Sequence, residues 1–238
     1  MPKISKKRAV EIINSISQRY PDLRQSSKTI TFAMLYQGTH YTLEKNTDMS
    51  EEEAKDVEKR YHDMYKVSDA WVADKLRQAC SDGYVTCAFG LRVRTPILAQ
   101  TLLGTKSTPS AAKAESRTAG NALGQSYCQL NMRAANEFMS RVRASEYSER
   151  ISLCALIHDA CYVEMADEVG VVQWVNENLI ECMEWQGLPE IKHPIVKLSA
   201  SLELFHNGWN RPIVIPNHAS KNEIISLVNQ GIRKLDTK

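Results

Sequence analysis

Apolar residues at helical spacing recur along most of this chain, and strand-like runs interrupt them in a few places. Between Lys6 and Gln18 the apolar positions 10, 13 and 16 predict a short helix, which Tyr20-Pro21 interrupts. A second helix is expected from Leu23 to Tyr36, with Gly38 near its end. Ser50 followed by Glu53 is a capping-box signature, and Ala54, Val57, Tyr61 and Met64 follow at helical spacing. Another helix is expected from about Val67 to Ala79, stopped by Asp82-Gly83. Tyr84 to Phe89 and Leu91 to Thr95 read as a hairpin turning at Gly90, and Leu102 to Ser110 as a mobile, turn-rich loop. Ala111 to Arg143 is a long helical stretch, broken or bent once. Ile151 to Ile157 and Cys161 to Met165 predict a tight hairpin with His158 and Asp159 at its tip. Asp167 to Trp185 reads as an amphipathic helix. Val196 to Phe205 reads as a strand with another following through Val214, and Ser220 to Leu235 as a terminal amphipathic helix. No internal repeat or low-complexity tract is present.

Composition changes this picture little. A chain of 238 residues can bury a sizeable core as one large domain or two small ones. The net charge of +2 does not by itself argue for nucleic acid, but its distribution is uneven. Met1 to Lys45 and Arg92 to Arg117 are basic, whereas Asp48 to Glu58 and Glu164 to Glu184 are acidic. Basic patches beside acidic, solvated faces fit a DNA-contacting surface on a near-neutral protein. The six cysteines, at 80, 87, 128, 154, 161 and 182, have no C-x-x-C or zinc spacing and read as reduced, buried thiols. Neither a signal peptide nor a membrane-length apolar run is present, so a cytoplasmic location is expected, the host cytoplasm if the source is viral. The P-loop and the Gly-rich dinucleotide fingerprint are absent, which argues against kinase-like and dehydrogenase chemistry.

Candidate chemistry concentrates in Arg24, Lys28, Phe32 and Tyr36, spaced by four. Each step of four rotates about 40° on an α-helix, so the side chains fan over roughly 120° of one face. Two cations followed by two rings suit a ligand with a polyanionic end and a planar end, such as a nucleoside triphosphate. The same spacing equally describes an amphipathic helix with a solvated basic end and two core aromatics. Arg117, Asn121 and Gln125 repeat the spacing with hydrogen-bonding side chains, and Gly120 and Gly124 lie one turn apart. Those glycines permit close helix packing or close approach to a DNA backbone. The His158-Asp159 tip is either an ordinary polar turn or a rigidly held carboxylate.

Taken together, these segments resemble the DNA polymerase I family (family A). Arg24 to Tyr36 is similar to that family's fingers helix, which reads Arg, three residues, Lys, three, an aromatic, three, Tyr. Arg117 to Gln125 resembles the family helix that tracks the primer–template minor groove. Ile157-His158-Asp159 resembles the palm turn that holds a metal-binding aspartate, and Gly90, Arg92 and Pro96 match a further run. The resemblance runs from about Ser15 to near Pro216. It implies an α+β fold with a mainly helical fingers portion over 1–83 and a palm portion with part of an antiparallel sheet over 84–216. Residues 217–238 form a C-terminal helix left unassigned.

The resemblance also implies roles. Arg24 and Lys28 would hold the triphosphate, with Lys28 also the general acid for the leaving pyrophosphate. Phe32 would pack on the sugar, where Phe rather than Tyr implies discrimination against dideoxynucleotides, and Tyr36 would stack near the templating base. Arg117, Asn121 and Gln125 would read the minor-groove acceptors shared by all base pairs. His158 would touch the primer terminus, Arg92 a phosphate, and Asp159 would be a catalytic metal ligand. Two departures stand out. The family commonly has Glu where this chain has Ala160, and Gly after the fingers tyrosine where it has Gln37 followed by Gly38.

The family also needs a second aspartate, in a palm motif upstream of the fingers helix, and no similar run occurs here. The expectation is therefore the C-terminal part of a split, bacteriophage-type DNA polymerase, beginning naturally at Met-Pro-Lys-Ile-Ser-Lys-Lys-Arg. Such a chain would bind primer–template DNA and dNTP. Its two Mg2+ ions would be shared with a carboxylate on a second polypeptide that carries the upstream palm motif, the thumb and, where present, a 3′–5′ exonuclease. An expressed fragment of a longer polymerase and a catalytically inactive DNA-binding remnant are the competing readings.

Overall fold

The structure, a computed structural model, describes residues 5–101, 108–205 and 208–236. Packing divides the chain into two compact units, 1–127 and 128–238. Five helices open the first: α1 (Lys6–Arg19), α2 (Pro21–Leu35), α3 (His40–Asn46), α4 (Glu51–Met64) and α5 (Lys66–Asp82). A short antiparallel hairpin follows, β1 (Tyr84–Thr86) with β2 (Arg92–Arg94), and then α6 (Ser110–Gln125).

The local signals explain most of these boundaries. Pro21 occupies the first turn of α2, where its missing N–H costs nothing. Ser50 and Glu53 form the expected capping box: Ser50 Oγ accepts from the Glu53 N–H at 3.3 Å, and the Glu53 carboxylate accepts from the Ser50 N–H at 2.9 Å. Gly83, left-handed at φ 75°, ends α5. The turn between β1 and β2 is left-handed at both Phe89 (φ 57°) and Gly90 (φ 77°). One helix, α3, has no counterpart in the expected elements, because seven residues carry too little periodicity to be read from sequence.

Two clusters hold this unit. Met34, Leu43 and Ala54 tie α2, α3 and α4 together. Leu76, Ala79, Val85, Leu98, Ala119 and Leu123 join α5, the hairpin and α6.

The second unit contains α7 (Gln129–Arg143), β3 (Ile151–Ile157), β4 (Ala160–Met165), α8 (Val169–Met183), β5 (Leu202–Leu204), β6 (Ile213–Ile215) and α9 (Lys221–Asp236). A 3-10 turn at Ser126–Cys128 separates α6 from α7, the single break expected in that stretch. Two antiparallel pairs, β3–β4 and β5–β6, accompany the helices. The core gathers Phe138 and Val142 from α7, Val171, Val175 and Ile180 from α8, and Ile224 from α9.

Three expectations are corrected here. The run Val196–Phe205 forms a strand only at Leu202–Leu204, and Ile195 and Val196 lie exposed outside it. Hydrophobic composition suggested a strand there, but a three-residue partner, β6, leaves no further ladder to extend it. The loop between β3 and β4 has two residues rather than three, since Ile157 pairs with Ala160. Most of the expected mobile loop, 102–107, lies outside the described residues, and its last residue, Ser110, starts α6.

The unassigned tail is built into this unit. Ile224 is buried against α8 and β6, and Asn176 of α8 donates from Nδ2 to the Pro216 carbonyl at 2.8 Å. Among the described residues, no helix is long and apolar enough to cross a membrane.

Candidate nucleotide and metal site

In the first unit, the cation–aromatic face of α2 lies away from the core. Its buried residue is Met34, with Ile30 and Ala33 packed alongside, so its core-facing stripe lies off that face. Arg24 and Lys28 are exposed, and Phe32 and Tyr36 remain 52% and 44% exposed. The two rings lie parallel, 20° apart in plane, with centroids 6.2 Å apart. The two aromatics and the two cations therefore share a solvent-exposed face, and the rings are not core residues.

The end of α2 is a Schellman turn in which Gln37 takes the left-handed position at φ 61°. The Gly38 N–H donates to the Ala33 carbonyl at 2.9 Å and the Gln37 N–H to the Met34 carbonyl at 3.0 Å. The helix therefore ends at Leu35 with Tyr36 as its cap, and the left-handed residue that follows, Gln37, pays a backbone cost glycine would avoid. Gly38 is required for a different reason: a Cβ there would lie 2.5 Å from the Ala33 oxygen. The Gln37 side chain also covers Gly120 of α6, where a Cβ would come within 3.2 Å of Gln37 Cγ.

On α6 the three spaced residues differ in environment. Arg117 and Gln125 are exposed, whereas Asn121 is half-buried with its Oδ1 sequestered and without a hydrogen-bond partner. Ala112, Ala119 and Leu123 hold the opposite stripe in the core, which turns the polar positions outward. Gly120 is accounted for by the close Gln37 contact, while at Gly124 a side chain would meet open space. Arg92 stacks its guanidinium over Tyr84, 4.6 Å from the ring centroid, and stays exposed.

In the second unit, His158 and Asp159 form the two-residue loop of the β3–β4 hairpin, both exposed. His158 is left-handed at φ 54°, which satisfies the need of tight hairpin loops for positive φ. A bulge at Cys154, between the pairs Leu153–Val163 and Ala155–Tyr162, adds local twist to the strand that leads to the tip.

A residue with no counterpart among the sequence candidates also reaches this tip. Asn131 of α7 donates from Nδ2 to the carbonyls of His158 and Ala160, each at 3.2 Å, and its Oδ1 accepts from the Cys161 thiol at 2.8 Å. Burial pushes the Cys161 thiol up to about 11, so it remains a protonated donor near neutral pH. The signal for Asn131 was present in the sequence: it falls in register with the apolar stripe Ala134, Phe138 and Val142, where a polar residue needs partners.

The donor set limits what metal the second unit can hold by itself. Among the described residues, no group of three or more His, Cys, Asp or Glu side chains could hold a metal ion. Mg2+ takes few protein carboxylates and keeps several waters. A lone exposed aspartate on a rigid hairpin thus fits as one ligand of a shared ion, not as a complete site.

Comparison with known proteins places the fold and the family. The solved polymerase domain of Pol1 from M. smegmatis, in complex with DNA primer–template and dNTP, superposes with a TM-score of 0.61 at 22% identity. The match covers 75% of this chain and 29% of that one, so the chain spans less than a third of the polymerase it resembles in fold. No individual curated protein matches the sequence. The family model described as DNA polymerase family A matches residues 4–207, and on that extent this chain belongs to DNA polymerase family A.

Proposed function

We propose that this chain is the fingers-and-palm portion of a template-directed DNA polymerase that transfers a nucleotide from dNTP to a primer 3′-hydroxyl. What carries the reading is the exposed Arg24–Lys28–Phe32–Tyr36 face on a helix whose core stripe lies elsewhere. Family membership over 4–207 supports reading that face as the nucleotide-binding one.

In this reading the first unit grips the substrate. Arg24 and Lys28 pair with the triphosphate oxygens, and Lys28 gives a proton to the departing pyrophosphate, a role typically worth 10²–10⁴ in rate. Phe32 lies against the deoxyribose and Tyr36 against the template-side base. Arg117 and Gln125 donate to minor-groove acceptors, and Arg92 pairs with a backbone phosphate. Asn121 belongs to the same face, where its Nδ2 would be the donor to those acceptors. The portions 1–83 and 84–216 then serve as fingers and palm, with 217–238 as a helical brace.

The second unit supplies chemistry at its hairpin. Asp159 holds magnesium jointly with a carboxylate outside the described donor set, and His158 contacts the primer terminus. When bound, the two ions neutralise the triphosphate and activate the 3′-hydroxyl. A second polymerase segment with the other palm aspartate and the thumb completes the machinery, and we place it on a separate polypeptide of a split, phage-type enzyme acting in the cytoplasm.

Primer extension by the chain, with and without such a segment, tests this. Incorporation only in the combined sample, abolished by Asp159→Asn, is expected. Robust extension by the chain alone sinks the split arrangement. DNA binding that survives while no combination extends a primer favours the inactive remnant, the reading to which Ala160, in place of a carboxylate, gives some support.

A further inference from the structure

Asn131 is 8% exposed in the first turn of α7, in register with the apolar stripe that builds the core of its unit. A carboxamide there has given up its water and must regain its hydrogen bonds from protein. It regains them from the turn that carries Asp159. Its two N–H groups go to the carbonyls of His158 and Ala160, the residues on either side of Asp159. Its oxygen takes the Cys161 thiol, which leaves the NH2 end facing the carbonyls and so defines the orientation of the amide.

The turn needs such a hold. His158 carries a side chain in the left-handed region, a conformation that persists only where the surroundings enforce it. Both loop residues are exposed, and Ile157–Ala160 is the last strand pair before them. Asp159 must nonetheless be held within a fraction of an ångström to share an ion.

We propose that Asn131 is a positioning residue for the Asp159 turn, fixing the direction of the metal-binding carboxylate through the two flanking carbonyls. This rests on the reading of Asp159 as a magnesium ligand. Nothing in the roles implied by family resemblance assigns Asn131 a part. Its clamp acts from a rigid helix onto the backbone, so it controls the aim of Asp159 without touching metal or substrate.

The test uses Asn131→Leu, which keeps the volume and removes the amide, with two readouts. In the full chain, amide hydrogen exchange across residues 157–161 should accelerate about tenfold or more while exchange in α8 is unchanged. In the complete polymerase assembly, the magnesium concentration for half-maximal primer extension should rise about tenfold, with KM for primer–template unchanged. Should Asn131→Leu lose its cooperative melt, Cys161→Ala carries the test: it frees the amide to turn, and both readouts should shift about threefold in the same direction. Tip exchange that matches wild type overturns the clamp. A wild-type magnesium dependence in a sample where Asp159→Asn is inactive overturns the positioning role alone. Full activity of Asp159→Asn is a separate failure: it removes the metal reading and the role built on it.

Discussion

At the scale of single residues, the chain departs from expectation where a side chain has to satisfy its backbone. Gln37 accepts a left-handed φ at the end of α2 and covers Gly120 with its side chain. Gly38 avoids a clash that any Cβ would create, so Gly38→Ala should lower stability by about 1–3 kcal/mol, read as a fall in the denaturant midpoint without a change in slope. Phe32 stands exposed beside Tyr36, and the proposed function sets it against the sugar. Phe32→Tyr should therefore raise dideoxynucleotide incorporation relative to dNTP in the assembled polymerase while leaving the melting temperature within a degree or two. Equal discrimination by the two proteins would remove Phe32 from the sugar contact. The cation positions were legible because a four-residue spacing is a statement about one helix face; Asn131 was not singled out, because its partners lie 27 or more residues away.

At the scale of elements, caps and turns account for most boundaries, and they give the chain an acid-sensitive component. Ser50–Glu53 opens α4 and Ser220–Glu223 opens α9 with the same reciprocal bonds. Hydrogen bonds from the serine backbone and hydroxyl hold both glutamates below the ordinary value of 4.5. Because the folded carboxyl is the stronger acid, the stabilisation is present above about pH 4.5 and is lost as pH falls through the lower folded value. Far-ultraviolet circular dichroism followed from pH 6 to 3 should show helix loss that Glu53→Gln and Glu223→Gln together make shallower. Ser50→Ala should cost about 1 kcal/mol. The elements missed or misplaced, α3 and the strand at 196–205, are the ones whose length is set by partners: three or seven residues persist only because something packs or pairs with them.

At the scale of the whole molecule, each unit closes its own core, and the tail is part of that closure. Ile224 of α9 and Ile215 of β6 are buried in the core that also holds Phe138. Truncation after Pro216 should therefore abolish the cooperative melt of the second unit, and Phe138→Ala should cost about 3–5 kcal/mol. A truncated chain with unchanged melting would show α9 to be dispensable. The family match stops at 207, short of this helix. DNA affinity belongs to this scale as well. With Arg92 and Arg117 as the proposed phosphate and groove contacts, DNA binding should weaken steeply as salt rises, and Arg92→Ala should make the salt slope shallower by about one.

The amino-acid sequence by itself determined what is local and periodic: the helix faces, the capping boxes, the break between α6 and α7, the two-stranded hairpin around His158-Asp159, and the order of motifs that marks the family. These follow from neighbours within a few residues, which the chain states directly. Tertiary structure alone decided which face of α2 is core and which is exposed, that Asn121 is half-buried while Arg117 and Gln125 are exposed, and that Asn131 bonds the turn carrying Asp159. Burial and long-range hydrogen bonding depend on what arrives from elsewhere in the chain, and spacing carries no record of that.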